Sequence, residues 1–231
     1  MITILCSAYN ASNHLDQYLA NVNQQTLPEF EIVFVDANST DDTLTKIIEY
    51  KFRDGISKKV IGAPERIGIY EAWNIAINNS SHEYVMNYNC DDKLFPTALH
   101  TYLTYATLNP EVDVIYSDSF ITNSTDYIPN SWYSWADANV KENLLAGCCC
   151  GPYPLLKKST IVQAGMFNAK FTISGDYEMW CRLNSLGKLF LKIAEPLGIY
   201  YLNPEGASTS NTEERHNAHL IQDNSIRGMY A

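Results

Sequence analysis

Five apolar runs, each followed by a stretch with helical spacing, constrain this chain more than any other feature. The runs are "ITILCS" (2–7), "EIVFVD" (31–36), "KVIG" (59–62), "EYVMNY" (83–88) and "DVIYSD" (113–118). Between them Leu15, Leu19 and Val22, then Leu44, Ile47 and Ile48, then Tyr70, Trp73 and Ile77 recur at intervals suited to one face of a helix. Pro96 opens a further such pattern that runs to about Leu108. A short continuous apolar run fits a strand buried on both faces, and amphipathic helices are what bury such strands. The alternation therefore predicts an α/β fold of βαβ units, with a mostly parallel central sheet and helices on both faces.

The second half is less regular. Residues 119–156 carry Trp132, Tyr133 and Trp135 among several Pro and Gly residues, as a loop-rich insertion or floor would. A helix is expected over 159–164, stopped by Gly165, and another from near Asp176 to before Gly187. Residues 189–193 and 197–202 read as two closing strands. Without a repeat or a linker, the chain reads as a single domain over 1–231.

Composition narrows the function. A formal net charge of -10 argues against nucleic acid or an anionic membrane as the main partner. Any phosphate must then be held by a metal or a few local cations. The six cysteines include the run 148–150 and form no CxxC pair, which suits neither a disulfide framework nor a zinc site. Sequons begin at Asn10 and Asn38, in loops expected at the site, so a glycosylating route would risk blocking it. The longest apolar stretch, around 144–156, is too short and interrupted to span a bilayer. These features lead us to expect a soluble, cytoplasmic protein with reduced thiols and no integral membrane segment, working at most peripherally at a membrane.

In an open α/β sheet, ligands bind beyond the carboxyl ends of the strands. There the chain places Ser7-Ala8-Tyr9-Asn10, Asp36-Ala37-Asn38-Ser39, Glu65-Arg66-Ile67-Gly68 and Asn89-Cys90-Asp91-Asp92. Ser39 and Asp42 could simply cap the second helix. Asp36 ends an apolar strand before that cap, where a carboxylate needs a donor that a ligand base or ribose could supply. Asp91 and Asp92 have two readings. As turn residues they are ordinary; as neighbouring carboxylates they repel unless a cation intervenes, and Mg²⁺ or Mn²⁺ bound with ligand phosphates fits. Neither a P-loop nor a G-x-G-x-x-G follows the first strand.

"SAYNASNHLDQYLANVNQQTLPEFEIVFVDANSTDDT", "RIGIYEAWNIAINNSSHEYVMNYNCDD" and "FNAKFTISGDYEMWCRLNSLGKLF" together resemble inverting glycosyltransferase family 2. The resemblance runs in order along nearly the whole chain. It implies a GT-A-type nucleotide-sugar fold, with a nucleotide-sugar-binding half over 1–118 and an acceptor-binding half over 119–231. It implies that Asp36 binds the nucleotide base, flanked by Ala8, Tyr9 and Asn10, with Asn38, Arg66, Gly68, Asn74, Asn89 and Cys90 shaping the donor pocket. Asp91 would hold a divalent metal, Mn²⁺ or Mg²⁺, with Asp92 and His216 as further candidates. Asp176 would be the catalytic base, although a first-turn Asp can also be a helix cap. From the residues themselves, Trp180 and Arg182 share the Asp176 helix and would pack or fix the acceptor wall beside Gly175, while Trp132 and Tyr133 read equally as a stacking face for a sugar and as local core. Ala37-Asn38 stands where the family has Asp-Gly, Asn89 where its metal motif begins with Asp, and Gly175 where a Glu is common.

The expected activity is inverting transfer from a nucleotide-diphosphate donor, UDP-linked, to a hydroxyl of a glycan, lipid-linked or protein acceptor in polysaccharide, glycolipid or glycoprotein synthesis. Two other classes compete. A sugar-phosphate nucleotidyltransferase would need a Gly-rich basic loop after the first strand, and "CSAYNASN" has neither property. A non-catalytic nucleotide- or sugar-binding module would account for Asn89.

Overall fold

The computed structural model describes residues 1–206, 208–209 and 212–231. The first half alternates as expected: β1 (Ile2–Ala8), α1 (Ser12–Asn23), β2 (Phe30–Asp36), α2 (Thr43–Glu49), β3 (Ile56–Gly62), α3 (Ile69–Asn79) and β4 (Tyr84–Asn87). Then come β5 (Lys93–Leu94), α4 (Ala98–Leu108), β6 (Val114–Thr122), β7 (Ser131–Tyr133), α5 (Lys141–Ala146) and β8 (Leu155–Lys157). The chain continues through α6 (Lys158–Gln163), α7 (Gly175–Ser185), β9 (Phe190–Tyr201) and α8 (Glu213–Tyr230).

One sheet runs in the order β3-β2-β1-β4-β8-β6-β9-β5, with β7 added on β6. Strands β3, β2, β1 and β4 are mutually parallel, as βαβ connections require. The short β8 is antiparallel to both β4 and β6 and joins the two halves, while β6 and β9 pair in parallel. Successive side chains of β1 point to opposite faces. Ile2, Ile4 and Cys6 therefore join Phe34, Tyr18 and Tyr102 in one core, whereas Leu5 joins Val33, Trp73 and Trp180 in the other. Helices cover both faces, and the carboxyl ends of β1, β2 and β4 share one edge.

Two features depart from expectation. The pair of closing strands is one long strand, β9, whose register against β6 shifts between Ser117 and Phe120, where Asp118 faces Pro196. A proline gives the ladder no N–H, so the strand bulges there and resumes. Helix α8 was not expected at all. Only its Ile226 is buried, so it lacks a broad apolar stripe.

Candidate active site

At the shared edge, the loops after β1 and β2 are tied to each other. The Asn10 amide donates to Ser39 Oγ at 3.0 Å, and Asn10 Oδ1 accepts from the Thr40 amide at 2.8 Å. Asn10 and Asn38 adopt positive φ (47° and 64°), a region asparagine tolerates better than most residues. Asp36 is 2% exposed. Its Oδ2 accepts from the Ser39 amide at 3.0 Å, while its buried Oδ1 has no partner among the described residues. A buried carboxylate oxygen without a donor is costly, so this atom is set for a donor arriving from outside. Tyr9 is exposed, and the Arg66 guanidinium carbon lies 3.7 Å from its ring centre. Ala8 is buried below them, and Gly68 begins α3 with open space where a Cβ would stand.

The loop after β4 separates its two carboxylates. Asp91 is half-buried; its Oδ2 accepts from Asn203 Nδ2 at 2.9 Å, and its carbonyl accepts from the Tyr127 hydroxyl at 3.1 Å. Asp92, expected as a second metal ligand, instead lies buried with Oδ1 3.3 Å from the backbone N–H of Tyr201. Burial, then the neighbouring Asp91, pushes its carboxyl well above the usual range, and its burial turns it away from the edge where Asp91 stands. Cys90 is also buried, its sulfur 3.5 Å from that of Cys6, which turns it to the core rather than to a donor. Asn89 keeps a buried Oδ1 without a partner among the described residues. His216 is exposed on the first turn of α8, and among the described residues no three His, Cys, Asp or Glu form a metal-sized group. A preformed protein cage is thus absent from those residues. One partly exposed carboxylate, Asp91, does suit Mg²⁺ or Mn²⁺, which are commonly bound by one or two carboxylates plus ligand phosphates.

Asp176 stands in the first turn of α7, after Ser174 as N-cap. The Tyr70 hydroxyl donates to its Oδ1 at 3.0 Å and also contacts the Ile173 carbonyl. Burial raises the Asp176 carboxyl, against the amide of Tyr177, the Tyr70 hydroxyl and His219, which lower it. Burial raises the Tyr200 hydroxyl of β9, the Ser208 hydroxyl opposes that shift, and the charges of Asp92, Asp91 and Asp176 add to it.

Gly175 has a steric reason. A Cβ there would lie 2.8 Å from carbons of the Tyr70 ring. Gly175→Ala is expected to force that ring aside, lowering stability by about 1–3 kcal/mol, the usual penalty of overpacking. Thermal melting checks this, and an unchanged melting temperature would mean the ring yields freely.

Three expected site residues serve the scaffold instead. Trp180 is fully buried between α7 and the sheet and cannot face an acceptor. Arg182 is engaged with Glu178 (Nη2–Oε2 2.8 Å) and with the carbonyls of Ala164 and Met166, so it fixes the turn after α6. Both amide atoms of Asn74 pair with the Phe167 backbone, at 2.8 and 3.0 Å, clamping α3 to the segment before α7. Trp132 and Tyr133 are exposed on β7, with Trp132 Nε1 3.1 Å from Asp118 Oδ2. Tyr70, Tyr127, Tyr200 and Asn203 were not anticipated. Tyr70 reads as helix core by its spacing, and Asn203 meets Asp91 across 112 positions, which no local pattern signals.

Comparison with known proteins gives the family and the fold. A model of the family "Glycosyl transferase family 2" matches residues 3–162. An uncharacterized glycosyltransferase of Haemophilus influenzae is 25% identical over 98% of this chain and 73% of its own length. Chondroitin synthase of Pasteurella multocida is 21% identical over 96% of this chain, which spans only 22% of that synthase. Staphylococcus aureus TarS 1–349 in complex with UDP-GlcNAc superposes with a TM-score of 0.75 at 16% identity, over 99% of this chain and 71% of TarS 1–349. Mannosyltransferase PcManGT from Pyrobaculum calidifontis, in complex with GDP-Man and Mn²⁺, gives 0.76 at 18% identity over 98% of this chain and 64% of that one. The fold is of the GT-A type.

Proposed function

The chain belongs to glycosyl transferase family 2, and on that footing we propose that it moves a sugar from a UDP-linked donor to an acceptor hydroxyl with inversion. One observation carries the donor side: the partnerless buried Oδ1 of Asp36 at the carboxyl end of β2. A nucleobase N–H meeting that oxygen would satisfy it, and the exposed Tyr9 beside it offers a ring face for stacking. Asp91 would hold the divalent metal, which when bound offsets charge developing on the departing diphosphate. Asp176, held by the Tyr70 hydroxyl, takes the proton of the acceptor hydroxyl as that oxygen attacks the anomeric carbon opposite the diphosphate. Attack from that side inverts the centre. Exposed Trp132 and Tyr133 give the acceptor side an aromatic surface suited to a sugar ring. The polysaccharide-synthase relative supports a glycan acceptor, with lipid-linked or protein acceptors chemically equivalent at the attacking hydroxyl. Among the described residues no helix is long and apolar enough to cross a membrane. We place the work in the cytoplasm.

The donor reading has a direct test. UDP is expected to raise the melting temperature more than GDP or ADP, because a ligand of the native state stabilises it by about 2.7 kcal/mol at a hundred times its Kd. Asp36→Ala is expected to erase the preference. Equal shifts with all three diphosphates would remove the uridine assignment.

A further inference from the structure

Helix α8 touches the segment leading into Asp176 at one point, and the contact is unusually convergent. Gln222 Oε1 accepts from three successive amides, those of Thr172, Ile173 and Ser174, at 3.1, 3.0 and 3.1 Å. Its Nε2 donates to Thr172 Oγ1 at 2.8 Å. The adjoining Asp223 accepts from Ser174 Oγ at 2.6 Å. Three successive N–H groups aimed at one point form a concavity of the kind that ordinarily takes an anion. Here a neutral amide oxygen fills it, two residues before Asp176.

The segment is also held from its other side, where the Tyr70 hydroxyl reaches both the Ile173 carbonyl and Asp176. Residues 172–174 are thereby fixed between α3 and α8, and with them the first turn that carries the base. Thr172 is exposed, so water could serve its amide, whereas Ser174 is buried and its amide relies on Gln222, so the contact serves the fold as well as the site. Catalytic geometry calls for it too. Displacing a reacting group by 1 Å can cost about 10²-fold in rate.

We propose that Gln222 is a positioning residue for Asp176, so that α8, which carries none of the proposed catalytic groups, belongs to the catalytic apparatus. The inference rests on the reading of Asp176 as the base.

The test compares Gln222→Leu, Gln222→Glu and Asp176→Asn by two readouts. One is UDP release from UDP-GlcNAc with water as acceptor. The other is carbon NMR titration of the Asp176 carboxyl in the donor-free protein. The groups facing Asp176 are Tyr70 on α3, His219 and Asp223 on α8, Tyr200 on β9, and Cys148 and Cys150. None is altered in these variants. Gln222→Leu is expected to lower kcat by about tenfold or more with donor KM unchanged. Its Asp176 midpoint should fall toward the ordinary carboxylate range as water enters. Gln222→Glu keeps the accepting oxygen, so kcat recovers, while its added negative charge moves the midpoint upward. A role in stability alone would leave the midpoint of the Leu variant at the wild-type value, and that result overturns the inference. So does a Glu variant as slow as the Leu variant. If Asp176→Asn keeps full rate, the underlying base reading fails instead, and the titration, which needs no donor turnover, still decides whether Gln222 positions Asp176.

Discussion

Asp176→Asn is expected to lower sugar transfer by something like 10²- to 10⁴-fold, the usual worth of a positioned base, with the melting temperature unchanged. The amide nearly matches the carboxylate in shape and can still accept from Tyr70. Ser174, not Asp176, is the N-cap of α7, so the substitution leaves the cap in place. The lost charge in the first turn removes a dipole interaction of about 0.3–1 kcal/mol, and relief of a buried charge opposes that loss. Because burial raises the Asp176 carboxyl, a base at this position would ionise at higher pH than an ordinary aspartate. The rate should therefore fall as pH drops through that raised value. Stability runs the other way: a carboxyl raised on folding contributes fully below its unfolded pKa, and the contribution is lost as pH rises through the folded one. A variant with rate and melting both intact would return Asp176 to a structural role.

The two adjacent aspartates are expected to behave oppositely. Asp91→Ala should abolish the metal dependence of UDP binding, because it removes the one carboxylate of the loop that is not buried. Asp92→Asn should bind metal as wild type does. Its stability at neutral pH should be equal or higher, since a neutral amide replaces a carboxyl whose ionised form is disfavoured by burial and by Asp91. Calorimetric titration of Mn²⁺ in the presence of UDP separates the two. Asn203→Ala, which frees the Asp91 Oδ2 contact, should weaken metal binding by about 10–100-fold, as loss of a partner behind a ligand usually does. Wild-type metal binding by Asp91→Ala would leave the loop an ordinary turn.

The contrast between those two residues shows what the sequence carries and what it does not. The parallel half was legible because burial on both faces leaves continuous apolar runs, and the observed β1, β2 and β4 fall on them. The polar ends of those strands marked the edge for the same reason. Which neighbour points outward was not legible: Asp92 meets a backbone N–H at the end of β9 and Asp91 a side-chain amide of Asn203 just beyond it, both more than a hundred positions away. Trp180 was expected at the acceptor wall because it shares a helix with Asp176, yet helical spacing does not say which of two layers covers it. Helix α8 escaped notice because it is held largely by hydrogen bonds. Gln222, Asp223 and Tyr230 bond to α7 and the segment before it, and such contacts leave no apolar period. The gap between the two expected strands, 189–193 and 197–202, holds Pro196, which the fold absorbs as a bulge within the single strand β9.

The central claim, inverting transfer from a sugar nucleotide, is tested most directly by the configuration of the first sugar released. UDP-α-GlcNAc incubated with the protein and Mn²⁺, with water as acceptor, is followed by proton NMR before the free sugar can mutarotate. The account predicts that the β-anomer appears first, with Asp176→Asn slowing its appearance. Release of the α-anomer first would contradict it.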